Sequence, residues 1–302
     1  MQGSLPSERS IRAALAGQAY AADHLRLCDR DLRGFECLVA SRQGLFAVSR
    51  SGAKRIAYGF YFGLREHEGS LFVFESCGVP ASRSRKGRLL RLTLDAGIIT
   101  DWRVIAKGLD NQCHQLAVID GLLCVVDTAN QAILRFALDG TPVDVRHPFP
   151  PASPDPADGS YLHLNSIART RSGTMLMLHN GTAVPRRQSE LVWLDDDWRP
   201  TRRMPLAGYG CHDIVEDGQG VLWHSGSLDG EVLNSDGLGV RVTDRMTRGL
   251  ALGRQGLIVG TSMFGTRAER ADLPGSVIFL DEALRKLDEI ELPAAPTDLL
   301  IL

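Results

Sequence analysis

Six segments of this 302-residue chain repeat one design: an alternating apolar run, a polar turn ending in glycine, and a second apolar run. They read CLVASRQGLFAVSRSG (37–52), GLREHEGSLFVFESCG (63–78), HQLAVIDGLLCVVDTAN (114–130), NSIARTRSGTMLMLHNG (165–181), HDIVEDGQGVLWHSGS (212–227) and RGLALGRQGLIVGTSMFG (248–265). Side chains alternate across a strand, so two such runs joined by a glycine turn form a hairpin with one buried face. Three of the segments lead into a further strand, an acidic or glycine turn, and another strand (132–145, 189–206 and 275–292). Four antiparallel strands per unit of about 50 residues, repeated about six times, predict an all-β fold, a six-bladed β-propeller.

Helical pattern is confined to SERSIRAALAGQAYAADHL near the start, which divides the chain into an N-terminal extension (1–33) and a propeller (34–302). A doubly wound α/β fold needs helices between strands. The gaps here are too short and too rich in Gly and Pro for that. The first two segments start only 26 residues apart, so one blade there is abbreviated or the alignment slips. The closing TDLLIL (297–302) suits a ring sealed by pairing the last strand with N-terminal strands.

Composition narrows the partners. Hydrophobic residues make up 44% of the chain, enough for a sizeable core, and 34 basic against 36 acidic residues leave a net charge of −2. Nucleic-acid and membrane-surface partners need a concentrated basic face, and none is indicated. The one basic run, SRSRKGR (82–88), reads as a solvated loop. The N-terminus lacks the apolar core of a secretory signal, no stretch is long enough to span a membrane, and the six cysteines form no C-x-x-C pair. A cytoplasmic, thiol-reduced protein is expected.

In a propeller the first strand of each blade lines the central channel. Counting back from each turn glycine gives one matched position at its starting end: Glu36, Phe62, His114, Asn165, His212 and Arg248. His163, two before Asn165, points the same way if its strand extends that far. His179 and His224 close second strands, which return to the same face. Imidazoles converging from three blades are a competent shell for a divalent metal, zinc foremost, with a position left for water or substrate. The spacing of His114, His163 and His212 is 49 and 49 residues, about one blade each. A single inner-strand histidine is more often a hydrogen-bonded filler, so the metal reading rests on the three together. Cys113 and Cys211 precede their histidines and should point into the packing between blades. Arg248 could bind an anionic group of a substrate, or pair with Glu36 across the channel.

HQLAVIDGLLCVVDTANQAILRF and HLNSIARTRSGTMLMLHNG together resemble the NHL and SMP30-like group of six-bladed propellers, over most of the chain after about Gly34. That resemblance implies architecture more than activity, because its members include lactonases, lyases and binding modules. The one-histidine-per-blade arrangement is similar to the zinc site of the propeller lyase that completes peptide amidation, from which His163 departs by two residues. A calcium site of the SMP30 kind fits less well, since only Glu36 supplies a carboxylate at the matched positions.

The expected function is a metal-assisted lyase or hydrolase acting on a small polar metabolite. His114, His163 and His212 are the candidate ligands, Glu36 and Asp213 the candidate proton shuttles, and Arg248, Asn165, His179 and His224 the candidate substrate contacts. Alternation makes Asp213 the weaker shuttle unless its strand starts late. The alternatives are a non-catalytic binding or scaffold module and an accessory protein of a biosynthetic pathway. The proline-rich loop HPFPPASPDPADGSY (147–161) would be a lid or a partner-facing element.

Overall fold

A computed structural model describes residues 8–78, 83–153, 155, 158–181, 187–266 and 269–302. Six antiparallel sheets stand in a ring, five of four strands and one of five. The six-bladed expectation holds.

From the inside outward, blade 2 is Tyr61–His67, Ser70–Ser76, Gly87–Asp95 and Ile98–Leu109. Blade 3 is Cys113–Ile119, Leu122–Asp127, Ala132–Phe136 and Pro142–Arg146. Blade 4 runs Leu164–Thr170, Gly173–Leu178, Glu190–Leu194 and Pro200–Pro205, and blade 5 runs His212–Glu216, Leu222–Gly226, Glu231–Asn234 and Gly239–Arg241. Blade 6 is Met246–Gly253, Gly256–Ser262, Gly275–Leu280 and Lys286–Leu292.

Blade 1 is assembled from both ends of the chain. Its inner strand is the C-terminal Pro296–Ile301, followed outward by Cys37–Ser41, Gly44–Ser49 and Gly52–Tyr58, with the two-residue Arg26–Leu27 on the edge. Cys37 pairs with Ile301 and Ala40 with Asp298, so the ring is closed by backbone hydrogen bonds between the two termini. This explains the short spacing of the first two repeats: segment 37–52 supplies the second and third strands of its blade. It also corrects the placement of Glu36. Its strand runs opposite to an inner strand, so it lies at the far end of the channel, half-exposed, 3.6 Å from Arg50.

The core is divided into six wedges between neighbouring blades. Leu38, Leu45, Leu64 and Val73 fill the wedge of blades 1 and 2, and Phe60, Phe72, Phe74 and Leu123 that of blades 2 and 3. Leu164, Leu176 and Val126 pack blades 3 and 4, Met175, Met177 and Leu222 blades 4 and 5, Leu250, Val259 and Val232 blades 5 and 6, and Val39, Val277 and Phe279 blades 6 and 1. Cys113 and Cys211 sit in these wedges, as alternation requires. All six cysteines are free thiols, five of them buried.

The helix Glu8–Ala21 lies over blade 2, with Ala16 in the aromatic wedge. Arg88 fixes its end: the guanidinium donates to the Ala19 and His24 carbonyls and pairs with Glu75 at 2.7 Å, with no exposed surface. The last residue of the basic run is therefore buried, against the solvated-loop expectation. Among the described residues no helix is long and apolar enough to cross a membrane.

Candidate functional site

All six inner strands break register at the same end. One extra residue stands opposite the second strand at Phe62, at His114–Gln115, at Asn165, at Asp213–Ile214, at Arg248–Gly249 and at Thr297. A bulge bends its strand and re-aims the side chains at the break. Six at one level make a collar of redirected side chains around the channel. Thr297 occupies in blade 1 the place expected for Glu36. Asp213 has φ 67°, a left-handed conformation rare outside glycine, and this overrides the alternation that would have turned it from the axis. His163 and Asn180, also at this end, are left-handed at φ 54° each. Such clustering of costly backbone is characteristic of functional sites.

Four histidines meet at the collar. Ring centroids lie 5.7 Å apart for His114 and His163, 4.5 Å for His163 and His179 in a stacked pair, and 5.2 Å for His179 and His212. Phe62 closes the chain against His114 at 5.8 Å, and Tyr161 packs on His163 at 5.5 Å. His114, His163 and His212 are thus brought to one region, with His179 between the last two. His224 is not part of this chain of rings; it is buried, with Nε2 3.4 Å from the Ala207 carbonyl, and burial lowers its pKa to about 4. Among the described residues no three His, Cys, Asp or Glu side chains are arranged to hold a metal ion.

Hydrogen bonds fix the imidazole tautomers. His114 Nδ1 lies 2.7 Å from the Gln112 carbonyl, which can only accept, so Nδ1 carries the proton. Thr128 Oγ1 also contacts this nitrogen at 3.0 Å, its own hydrogen going to the Leu164 carbonyl at 2.6 Å. His212 repeats the arrangement, with Nδ1 2.8 Å from the Gly210 carbonyl and 2.7 Å from Ser227 Oγ. Both therefore place their lone pair on Nε2. Burial first, then Arg248 and the other three imidazoles, hold His212 well below the usual histidine range, so it is neutral at neutral pH.

Thr128 belongs to the DTAN turn, where Asp127 accepts from the backbone and side-chain nitrogens of Asn130. The next residue, Gln131, donates to the Pro150 and Ser160 carbonyls and accepts from Leu162 N, pinning both limbs of the proline-rich loop. The lid expectation falls on this loop, of which residues 154, 156 and 157 lie outside the described residues.

Beneath the histidines the channel is crossed by carboxyls. Asp213 accepts from Gly249 N, Ser225 Oγ and Gln115 Nε2, while its own backbone N–H donates to Ser166 Oγ. Asp298 accepts from Leu64 N at 2.8 Å and faces Gln115 at 3.4 Å. Burial raises Asp213 to about 6, and burial together with the Asp213 charge raises Asp298 to about 8. Both carboxyls line a cavity of about 470 Å³ that opens at the other end of the channel. Arg248, 8% exposed, exerts its charge on this pair and on His212, while Glu36 has Arg50 as its ion-pair partner. Asn165 is 2% exposed, and its Nδ2 has no hydrogen-bond partner among the described residues.

Sequence reasoning missed Thr128, Ser227, Gln115 and Asp298. A signal existed for the first two: a hydroxyl residue follows each Cys-His strand after its partner strand, 14 and 15 positions on. None existed for Asp298, whose place depends on ring closure.

No protein-family model and no curated protein matches the sequence. Solved structures match in fold. A structure of the nidogen/laminin complex aligns with a TM-score of 0.60 at 14% identity, covering 89% of this chain and 98% of that one. A Bacteroides caccae protein of unknown function gives 0.56 at 9% identity, covering 88% and 98%. A Bacteroides fragilis protein provisionally named 6-phosphogluconolactonase gives 0.54 at 11% identity, covering 88% and 97%. At these identities the likeness establishes the propeller and nothing finer.

Proposed function

We propose that the histidine collar is the reaction site of a lyase or hydrolase acting on a small polar metabolite that carries an anionic group. The observation that carries this reading is the matched anchoring of His114 and His212, each with its proton on Nδ1 and its lone pair on Nε2. A neutral imidazole in that tautomer presents its Nε2 lone pair to the collar, where it serves either as a proton acceptor or as a metal ligand but not as both at once. Arg248 supplies the cation for an anionic group, and the Asn165 amide a donor for a further oxygen. Asp213, near 6, lies under His212 as a group able to take or give a proton at working pH. Glu36 has no part in the site.

A divalent ion, zinc foremost, would be held through Nε2 of His114 and His212, whose Nδ1–H bonds are of the kind that orient metal-bound histidines. Bound there, it would polarise a substrate oxygen or acidify a water. The donor type of those two nitrogens suits zinc, and His163, whose ring stacks on His179, would have to reorient to complete a set of three. Calcium fits poorly, because the carboxyls face the far side of the channel. The resemblance of two sequence segments to NHL and SMP30-like propellers, and the lactonase name borne by the Bacteroides fragilis neighbour, agree with this reading without fixing a substrate.

A second reading, a non-catalytic binding module, is favoured by the stacked pair His163 and His179, which presents ring faces rather than converging nitrogens. Two measurements separate the possibilities. Elemental analysis of the purified chain should find about one equivalent of metal, lost in both His114→Ala and His212→Ala; unchanged, near-zero content removes the metal. A panel of anionic esters, lactones and hydroxy acids should then show turnover that His212→Ala lowers by about 10²-fold or more. Saturable binding with no turnover across the panel leaves the binding module.

A further inference from the structure

We propose that His179 is a substrate-facing hydrogen-bond donor, with its lone pair on Nδ1 and its proton on Nε2, opposite in tautomer to His114 and His212. This rests on reading the collar as the reaction site, and it gives His179 a role distinct from metal ligation.

The Gly181 backbone N–H donates to His179 Nδ1 at 3.1 Å. An amide N–H cannot accept, so Nδ1 holds the lone pair and the ring proton of the neutral form sits on Nε2. The residues that build this contact are small for a reason. A Cβ on Gly181 would come within 2.3 Å of His179 Cε1 and 2.4 Å of Nδ1. Real Cβ contacts are essentially never so short, so any larger residue displaces the ring. On the other side Gly210, at φ +61°, would bring a Cβ within 3.0 Å of His179 Nε2. The same Gly210 carbonyl accepts from His212 Nδ1. Two glycines thus let two imidazoles of opposite polarity stand 5.2 Å apart.

The collar then divides by chemistry. Blades 3 and 5 present Nε2 lone pairs through His114 and His212. Blade 4 presents donors through His179 and Asn165. A carbonyl or carboxylate oxygen directed at blade 4 receives hydrogen bonds that strengthen as negative charge develops on it, with the His212 Nε2 lone pair on the neighbouring blade 5. His179 transfers no proton in this role. The substrate class that follows is a small molecule with a carbonyl or carboxylate oxygen beside its reacting carbon.

The test uses the full chain, labelled with ¹⁵N-histidine, at neutral pH. Long-range ¹H–¹⁵N correlation should show His179 protonated at Nε2 and bare at Nδ1, with His114 and His212 reversed. A proton on Nδ1 of His179 overturns the proposal. Gly181→Ala should displace the ring and abolish this signature while the circular dichroism spectrum stays unchanged; an unaltered His179 signal there also overturns it. Acetate is the probe for the donor role. It should shift the His179 Nε2–H resonance on titration, and His179→Phe should weaken its binding about 5-fold, the loss of one hydrogen bond, whereas His179→Gln retains it. Acetate that binds without moving His179 overturns the donor role, whereas acetate that fails to bind at all sinks the anion-anchor reading of the collar while the tautomer assignment stands.

Discussion

Thr128 and Ser227 show how much of the site depends on single hydroxyls. Each stands against a histidine Nδ1 and steadies a ring that a backbone carbonyl two residues earlier has already oriented. Ser227→Ala should leave the fold intact and lower the activity or metal affinity of the collar about 10-fold, the usual scale for a partner one step removed from the reacting group. The buried Arg88–Glu75 pair is different in kind. Burial disfavours the Glu75 carboxylate, and the Arg88 guanidinium at 2.7 Å is the largest influence that offsets it, ahead of Arg26 and Cys77. Glu75→Ala leaves a buried cation without its counter-charge and should cost about 3–5 kcal/mol in denaturant unfolding. A loss below about 1 kcal/mol would show that the pair does not hold the helix to blade 2.

The bulge is the element that turns a generic inner strand into a site. Opposite the Arg248–Gly249 bulge the second strand carries Gly260, where a Cβ would lie 2.2 Å from the Arg248 carbonyl and 2.8 Å from Pro296 Cβ. The contact is with backbone, which cannot rotate aside. Gly260→Ala should therefore destabilise by about 1–3 kcal/mol and shift Arg248, read as a lower melting temperature together with weaker anion binding. Wild-type values for both would mean that the bulge is not set by this close approach. The C-terminal strand is the other decisive element. Truncation after Leu292 removes Pro296–Ile301, leaving Cys37–Ser41 as an unpaired edge and the wedges of blades 1, 2 and 6 open. That chain should lose cooperative unfolding and aggregate.

For the whole molecule, the channel is also a tie. Asp213 and Asp298, with Gln115, Ser166, Leu64 and Gly249, join all six inner strands by hydrogen bonds. Arg248 is the cation that acts on both carboxyls, and His212 is the adjacent imidazole. Asp298 is raised in the folded state, to about 8, above its value of 3.8 in an unfolded chain, so the native state holds the proton that the unfolded state has lost. Its stabilising contribution is complete below about pH 4 and declines as pH rises through about 8, at no more than about 1.4 kcal/mol per pH unit for one proton. Asp213, raised to about 6, acts in the same direction at lower pH. Melting temperature measured from pH 5 to pH 9 should fall, and Asp298→Asn should flatten the fall between pH 6 and 8. An identical slope in the variant would show that the proton is held elsewhere.

The alternation of CLVASRQGLFAVSRSG and its five counterparts was enough to predict strands, hairpins and a six-bladed ring, because a period of two leaves one way to bury the apolar face. The paired Cys-His openings likewise marked His114 and His212 as residues of one level in two blades. Glu36 was misplaced because local pattern cannot distinguish the first strand of a blade from the second; only the strand donated by the far end of the chain decides that. Asp213 escaped alternation through a left-handed backbone that no periodicity announces. The tautomers of His179 and His212 depend on which carbonyl or amide lies within 3 Å or so of a ring nitrogen, a matter of tertiary distance. Sequence therefore determined the strands and the level of the collar, while ring closure and backbone strain decided which side chains occupy it.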